Sequence, residues 1–331
     1  MTFVKKLRRL QAVGFREAGK IILKRLLQRL LLGKSLFSGE RFAFFEKFGI
    51  HVLPVHYYSP VPDTRELQRN QNQWYRESSF KGVDFNMEGQ LETLNHLRPY
   101  KSECNELPPY NTPFLRELGE GFGEVESHIL YSMIRRLKPR RVIEVGSGVS
   151  TFFSVNALSK NNEEAGIGAT MTCIEPYPRL ALHKVNGACE MEVISSLVQD
   201  VTLEVFEALS EGDILFIDSS HIVKINSDVN YLYLEVLPRL AKGVVVHIHD
   251  ICFPYPTPPP EYWILKKHQF WTEAALVQAF LTFNSAFKVL LCSSYLHYKA
   301  PQALYSAFSS PKNSPQFNIG VPSSLWLQKV D

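Results

Sequence analysis

Four short stretches of the chain carry residues able to do chemistry. Asp218-Ser219-Ser220-His221 sets a carboxylate three residues before an imidazole, so both can line one pocket. His247-Ile248-His249-Asp250 ends another run with an imidazole beside a carboxylate. Glu144-Val145-Gly146-Ser147-Gly148 places two glycines where backbone can approach a ligand closely. Glu175 follows an apolar run ending in Ile174, and Asp200 stands after the next such run. A histidine titrates near neutral pH, which makes His221 the candidate to take a proton from an acceptor hydroxyl. A carboxylate about thirty residues beyond a glycine turn is placed to accept both hydroxyls of a ribose, the reading given to Glu175. Asp200 stands where an adenine amino group could be met. Each feature also has a plainer reading: a glycine turn lining nothing, His221 capping a loop, His247 packed against a neighbouring helix.

These residues share a position, because each follows an expected strand. Helical spacing in Ile129, Met133, Ile134 and Leu137 stops at Pro139. Strands are then expected at 141–145, 170–174, 190–194, 214–217, 244–248, 287–291 and 325–328. Helices are expected between them at 151–158, 179–185, 201–209, 229–240 and 272–283, with Ser150 as the N-cap of the first. Alternation of this kind predicts an α/β fold, a doubly wound, mainly parallel seven-stranded sheet. Ligands in such sheets sit at the carboxyl ends of the strands, where the candidate residues fall. Five prolines stiffen 253–263, read as an aromatic wall beside an acceptor rather than a polyproline ligand.

The chain has 331 residues, 45% hydrophobic and 21% charged, which excludes a mostly disordered chain. The five cysteines are scattered with no CxxC spacing, which speaks against a zinc ribbon and fits reduced thiols in a cytoplasmic protein. No uncharged apolar run reaches the roughly eighteen residues that a membrane-spanning helix needs. The net charge of +3 hides an asymmetry, since residues 1–34 carry +9 and the remainder −6. Three segments are expected: a basic amphipathic arm at 1–34, a helical and loop cap at 35–120, and a ligand-binding domain at 121–331. The arm sets Ile22, Leu23, Leu26, Leu27 and Leu30 on one face and Lys20, Lys24 and Arg25 on another. Two readings stand level for it: an interfacial helix on the inner face of an anionic membrane, or a helix packed on protein. A nucleic-acid arm is disfavoured, because no aromatics interleave with the charges at 16–34.

Glu144-x-Gly146-x-Gly148, the acid Glu175 and the strand-end Asp218 resemble the class I S-adenosylmethionine-dependent methyltransferases. Glu144–Thr151, Asp218–His221 and Val246–Asp250 are similar to its small-molecule branch, related to macrolide-sugar O-methyltransferases and cephalosporin-hydroxylase-like proteins. The likeness spans roughly residues 121–331, with a leader at 48–67. It implies S-adenosyl-L-methionine as cofactor, its amino-acid end on Gly146, Ser147 and Gly148 with Glu144 behind that turn. It also implies Glu175 on the ribose, Asp200 on the adenine, and His221 as base. It implies magnesium on Asp218 and on the pair after the fifth strand. That pair reads His249-Asp250 where relatives have two acids, which moves preference toward transition metals. The function expected is O-methylation of a hydroxylated small molecule, sugars and glycolipids included. Its alternatives are a hydroxylase-like or nucleotide-dependent enzyme, or a non-catalytic cofactor-binding protein.

Overall fold

The computed structural model describes residues 15–32, 39–109, 112–119, 121–308 and 321–331. Lys5, Lys6, Arg8, Arg9 and Lys34 of the basic arm lie outside the described residues. Contacts divide the chain into two units, Met1–Gln71 and Asn72–Asp331, a boundary inside the segment read as a cap. The first unit contains helices Phe15–Leu32, Gly39–Glu46 and Thr64–Arg69. Ile22, Leu23, Leu26 and Leu27 are exposed on the first of these. Among the described residues no helix is long and apolar enough to cross a membrane.

The second unit is built on seven strands: β1 (Arg141–Val145), β2 (Thr170–Ile174), β3 (Glu190–Ile194), β4 (Ile214–Ile217), β5 (Val245–Ile248), β6 (Phe287–Cys292) and β7 (Leu325–Lys329). Their order is β3-β2-β1-β4-β5-β7-β6. β1 to β5 are parallel, and β7 runs antiparallel between β5 and β6. Side chains alternate across a strand, so each central strand feeds two cores. Val142, Met171, Phe216 and Trp326 join one cluster with helices Glu124–Leu137 and Val149–Ala165. Ile143, Val145, Leu215, Ile217, Val246 and Ile248 join the other, which includes Val236 and Val277 from helical segments on the opposite face. Residues of 72–120 belong to these cores: Leu94 and Leu97 to the first, Phe80 and Phe85 to the second.

Several expected elements differ. The helix expected at 179–185 is a 3₁₀ helix, Leu180–Lys184, and that at 201–209 shortens to Leu203–Glu207. The helix expected at 229–240 carries a π-helical stretch, Leu232–Val236, just before Pro238, which cannot donate a backbone hydrogen bond. Ser150 is not the N-cap it was read as. The helix begins at Val149 after Gly148, whose N–H donates to Thr151 Oγ1 at 3.0 Å. His247 packs not on a helix but between strand neighbours. Its ring stacks on Phe216 of β4 at 4.1 Å and on Trp326 of β7 at 4.0 Å. Burial pushes its pKa down, as expected for a neutral core ring.

Candidate active site

The backbone ladder runs one residue past the strand ends and fixes the candidate side chains. Gly146 N–H donates to Ile174 O, Glu175 N–H to Ile194 O, Asp218 N–H to Val145 O, and His249 N–H to Ile217 O. All four are thereby held in register by the sheet rather than by loops. Gly146 has φ +85°, and a Cβ there would lie 2.0 Å from the Asp218 carbonyl oxygen. Only glycine fits, because the first turn and the β4 end touch at this point.

A cavity of about 460 Å³ opens beside that contact. Gly146, Glu175, Pro176, Val198, Gln199 and Asp218 are among its lining residues. The volume lies in the roughly 300–1,000 Å³ range of small-molecule sites. The half-buried Glu175 carboxylate accepts from Tyr177 N–H at 2.9 Å and from Ser147 N–H at 3.3 Å. Ser147 and Gly148 belong to the adjoining turn, outside the cavity lining. Asp200, the residue read toward an adenine, is exposed and outside the lining, where Val198 and Gln199 stand instead. Its short 3₁₀ turn, Val198–Asp200, directs the preceding residues to the cavity. Glu144 is fully buried behind the glycine turn, accepting from Ser150 Oγ at 2.6 Å and Thr151 Oγ1 at 2.5 Å. Burial raises its pKa to about 8, against the pull of those two hydroxyls.

A second group of side chains meets the cavity at Asp218. His221 Nε2 lies 3.4 Å from Asp218 Oδ1 and 3.3 Å from Asp250 Oδ2. Both His221 (φ +60°) and Asp250 (φ +59°) adopt left-handed backbone, uncommon outside glycine and entered more readily by His and Asp than by most residues. His221 is locked from behind. Its Nδ1–H donates to Glu273 Oε2 at 2.7 Å, and Tyr233 Oη–H donates to Glu273 Oε1 at 2.9 Å. The His221 carbonyl accepts from Thr272 N–H and Glu273 N–H, docking the loop on the start of helix Glu273–Leu281. Burial lowers the His221 pKa, but the bonds to Asp218 and Glu273 and the charge of Asp250 outweigh it and raise it to about 10. Trp271 stands 5.0 Å from the His221 ring and 5.3 Å from Trp263. From the proline-rich loop, Trp263 packs on Trp271 rather than on His221 itself, and Phe253 is buried against Phe80 and Phe85.

His249 occupies the other side of the two aspartates. Its Nδ1 lies 3.3 Å from Asp218 Oδ1 and 3.7 Å from Asp250 Oδ2, and its Nε2 is 3.0 Å from Glu126 Oε1. Ser323 completes the group, its N–H and Oγ–H both reaching Glu126 Oε1 and its Oγ–H also reaching Asp250 Oδ1. Asp218, His221 and Asp250 offer ligand atoms all within 4.8 Å of one another, a spacing that suits a divalent cation. With imidazole nitrogens at its edge, the donor set is not the all-oxygen one that suits magnesium. Sequence reasoning brought Asp218, His221, His249 and Asp250 together but missed Glu126, Tyr233, Trp271, Glu273 and Ser323.

A parallel-stranded sheet with an antiparallel edge pair and a glycine turn after β1 defines a Rossmann-like fold, in which ligands sit at the carboxyl ends of the strands. Residues 143–251 match the family model described as a methyltransferase domain. The chain is 30% identical over 201 residues to an uncharacterized protein of Archaeoglobus fulgidus, covering 58% of this chain and 87% of that protein. Solved structures with similar folds include an apo form of CmcI, 15% identical, covering 70% of this chain and 84% of that one with a TM-score of 0.35. Another is the plantazolicin methyltransferase BpumL, 12% identical over 73% of this chain and 96% of that one, TM-score 0.39. A third is a methyltransferase of Anabaena variabilis, 12% identical over 77% of this chain and 99% of that one, TM-score 0.31. Over residues 143–251 the chain is thus a methyltransferase domain of the S-adenosylmethionine-dependent kind.

Proposed function

We propose that the protein methylates a hydroxyl oxygen of a small molecule, sugars included, bound over Asp218, His221 and Asp250. One observation carries this reading: Asp218 lines the cavity and also contacts His221, so a single residue joins a cofactor pocket to a proton-handling centre. Gly146, Ser147 and Gly148 hold the amino-acid end of S-adenosylmethionine, and Glu175 accepts its ribose hydroxyls through the lone pairs that Ser147 and Tyr177 leave free. When bound, the cofactor supplies an electrophilic methyl group on a sulfonium.

The chain's own residues then position and deprotonate the acceptor. Glu273 holds the proton on His221 Nδ1, which directs Nε2 toward the two aspartates as the proton-accepting atom. Because these carboxylates raise the His221 pKa to about 10, the fraction of His221 free to accept the acceptor proton grows as pH rises toward that value. Trp271, backed by Trp263, stands beside the His221 ring and walls one side of that centre. Glu144 does not touch a ligand in this reading; it ties the start of helix Val149–Ala165 to β1 and holds the glycine turn.

The test is methyl transfer from labelled S-adenosylmethionine across a panel of hydroxylated acceptors. His221→Ala is expected to slow transfer by roughly 10²–10⁴-fold with cofactor affinity unchanged. Transfer at the wild-type rate by His221→Ala would overturn its role as base. Methylation of nitrogen or carbon acceptors alone would overturn the acceptor class.

A further inference from the structure

A row of aromatic rings leads away from His221 and ends at two lysines that the proton-transfer reading does not use. Trp271 stands 5.0 Å from the His221 ring, Trp263 stands 5.3 Å from Trp271, and Tyr262 stands 5.1 Å from Trp263. All three rings are half-buried, so each keeps part of its surface open. At the far end Lys266 Nζ lies 5.4 Å and Lys267 Nζ 5.5 Å from the centre of the Tyr262 ring.

The backbone builds this row. The short helix Pro260–Trp263 follows Pro258 and Pro259. Leu265 N–H donates to Pro260 O at 2.8 Å, Lys267 N–H to Tyr262 O at 2.9 Å, and Gln269 N–H to Trp263 O at 2.9 Å. These bonds fold the segment back on itself and bring both lysines to one tyrosine. Thr272 N–H then donates to His221 O at 2.9 Å, which returns the segment to the proton-handling centre.

The two ends of the row differ in charge. At one end Asp218, Asp250 and Glu273 surround the His221 imidazole. At the other, both ammonium groups belong to exposed residues, and neither makes an ion pair among the described residues. Glu261, the only acid from 251 to 272, pairs with neither. Two like charges gathered at one ring repel each other, and an anion bound between them relieves that repulsion. The negative face of an aromatic ring attracts the C–H groups of a sugar lying on it.

We propose that the acceptor is a phosphorylated sugar, its ring on Trp271 and Trp263 with a hydroxyl at His221, and its phosphate held by Lys266 and Lys267. The charges set its direction, because the carboxylate end repels a phosphate and the lysine end attracts one. A lysine ammonium binds phosphate as a point charge, without the planar fork that arginine needs. The inference deepens the function proposed above and rests on reading the His221 centre as the acceptor site.

The experiment reads binding to the full chain by isothermal titration, without methyl transfer, so its failure and the failure of methyl transfer are distinguishable. The probes are glucose 6-phosphate for a monoester, uridine diphosphate glucose for a diphosphate, methyl glucoside as the neutral ring and inorganic phosphate as the bare anion. At least one of the two phosphorylated sugars is expected to bind roughly 10-fold or more tightly than methyl glucoside and than inorganic phosphate, and to weaken as salt is added. The tighter of the two names the ester class. The double substitution Lys266→Gln and Lys267→Gln is expected to erase the preference over methyl glucoside. Trp271→Leu is expected to erase the preference over inorganic phosphate. A melting curve checks that each variant is folded, and should either fail, the wild-type comparison of the four probes still decides the matter. Absence of binding, equal affinity for the neutral and phosphorylated sugars, inorganic phosphate bound as tightly as either sugar phosphate, or a folded double variant that keeps the preference overturns the proposal.

Discussion

Replacing Glu175 with glutamine should weaken cofactor binding without unfolding the protein. Both carboxylate oxygens already accept a backbone N–H, Oε1 from Tyr177 at 2.9 Å and Oε2 from Ser147 at 3.3 Å. Each oxygen of a carboxylate can accept about two hydrogen bonds, so each retains one site for a ribose hydroxyl. Glutamine removes the charge and turns one oxygen into an NH₂ group. That group must face an N–H, donor against donor. The shorter Tyr177 bond keeps the oxygen, so the NH₂ faces Ser147 and pushes on the glycine turn. Losing one charge-assisted bond costs roughly 1.5–3 kcal/mol. That corresponds to a Kd about 10- to 150-fold higher. The assay is isothermal titration with S-adenosylhomocysteine, repeated with a 2′-deoxy analogue, for which the penalty should shrink. A melting curve on the same sample checks the fold. A Kd within twofold of wild type in folded Glu175→Gln would refute the assignment of the ribose to Glu175.

Gly146→Ala should destabilise the protein by more than about 2 kcal/mol in urea melts, because left-handed backbone and a collision with the Asp218 carbonyl act together; wild-type stability would contradict that contact. Glu144 keeps its proton in the fold up to about pH 8, against 4.5 for its ordinary value. The folded state therefore binds more protons across that window, and stability falls by up to roughly 1.4 kcal/mol per unit as pH rises through it. Glu144→Gln should flatten this slope when urea melts at pH 5 and pH 8 are compared, and an unchanged slope would show that Glu144 is ionised. Among the described residues both core clusters begin at or after Phe80, so deletion of residues 1–71 should leave the melting temperature unchanged. If the exposed leucines of Phe15–Leu32 contact lipid, the same deletion abolishes sedimentation with anionic vesicles; retained binding would place that contact elsewhere.

The parts of the site that follow strands were legible because two local signals coincide. Short apolar runs such as Ile214–Ile217 mark buried strands, and the polar residue directly after each must sit at the sheet's edge. That reasoning located Gly146, Glu175, Asp218, His249 and Asp250 without any knowledge of strand order. Residues that reach the same place from elsewhere left no such trace. Glu126 reads as an ordinary acid in the first turn of a helix, where its Oε2 does accept from Gly123 N–H. Its second task, bonding His249, depends on a contact across 123 residues of chain. Glu273 likewise reads as a first-turn acid, and only the docking of the His221 carbonyl on Thr272 and Glu273 brings it to the imidazole. His247 was misjudged in its neighbours for a related reason. Which strand lies beside β5 is set by β7 inserting antiparallel before β6, and a sequence does not state that order.

The most direct measurement of the account's central claim is a crystal structure of the protein with S-adenosylhomocysteine. The account predicts the ribose on Glu175, the amino-acid end along Gly146–Gly148, and the sulfur facing Asp218 with His221 and Asp250 beyond it. A nucleoside bound away from Glu175, or a sulfur turned from the Asp218 centre so that His221 cannot reach an acceptor in line with it, would contradict that claim.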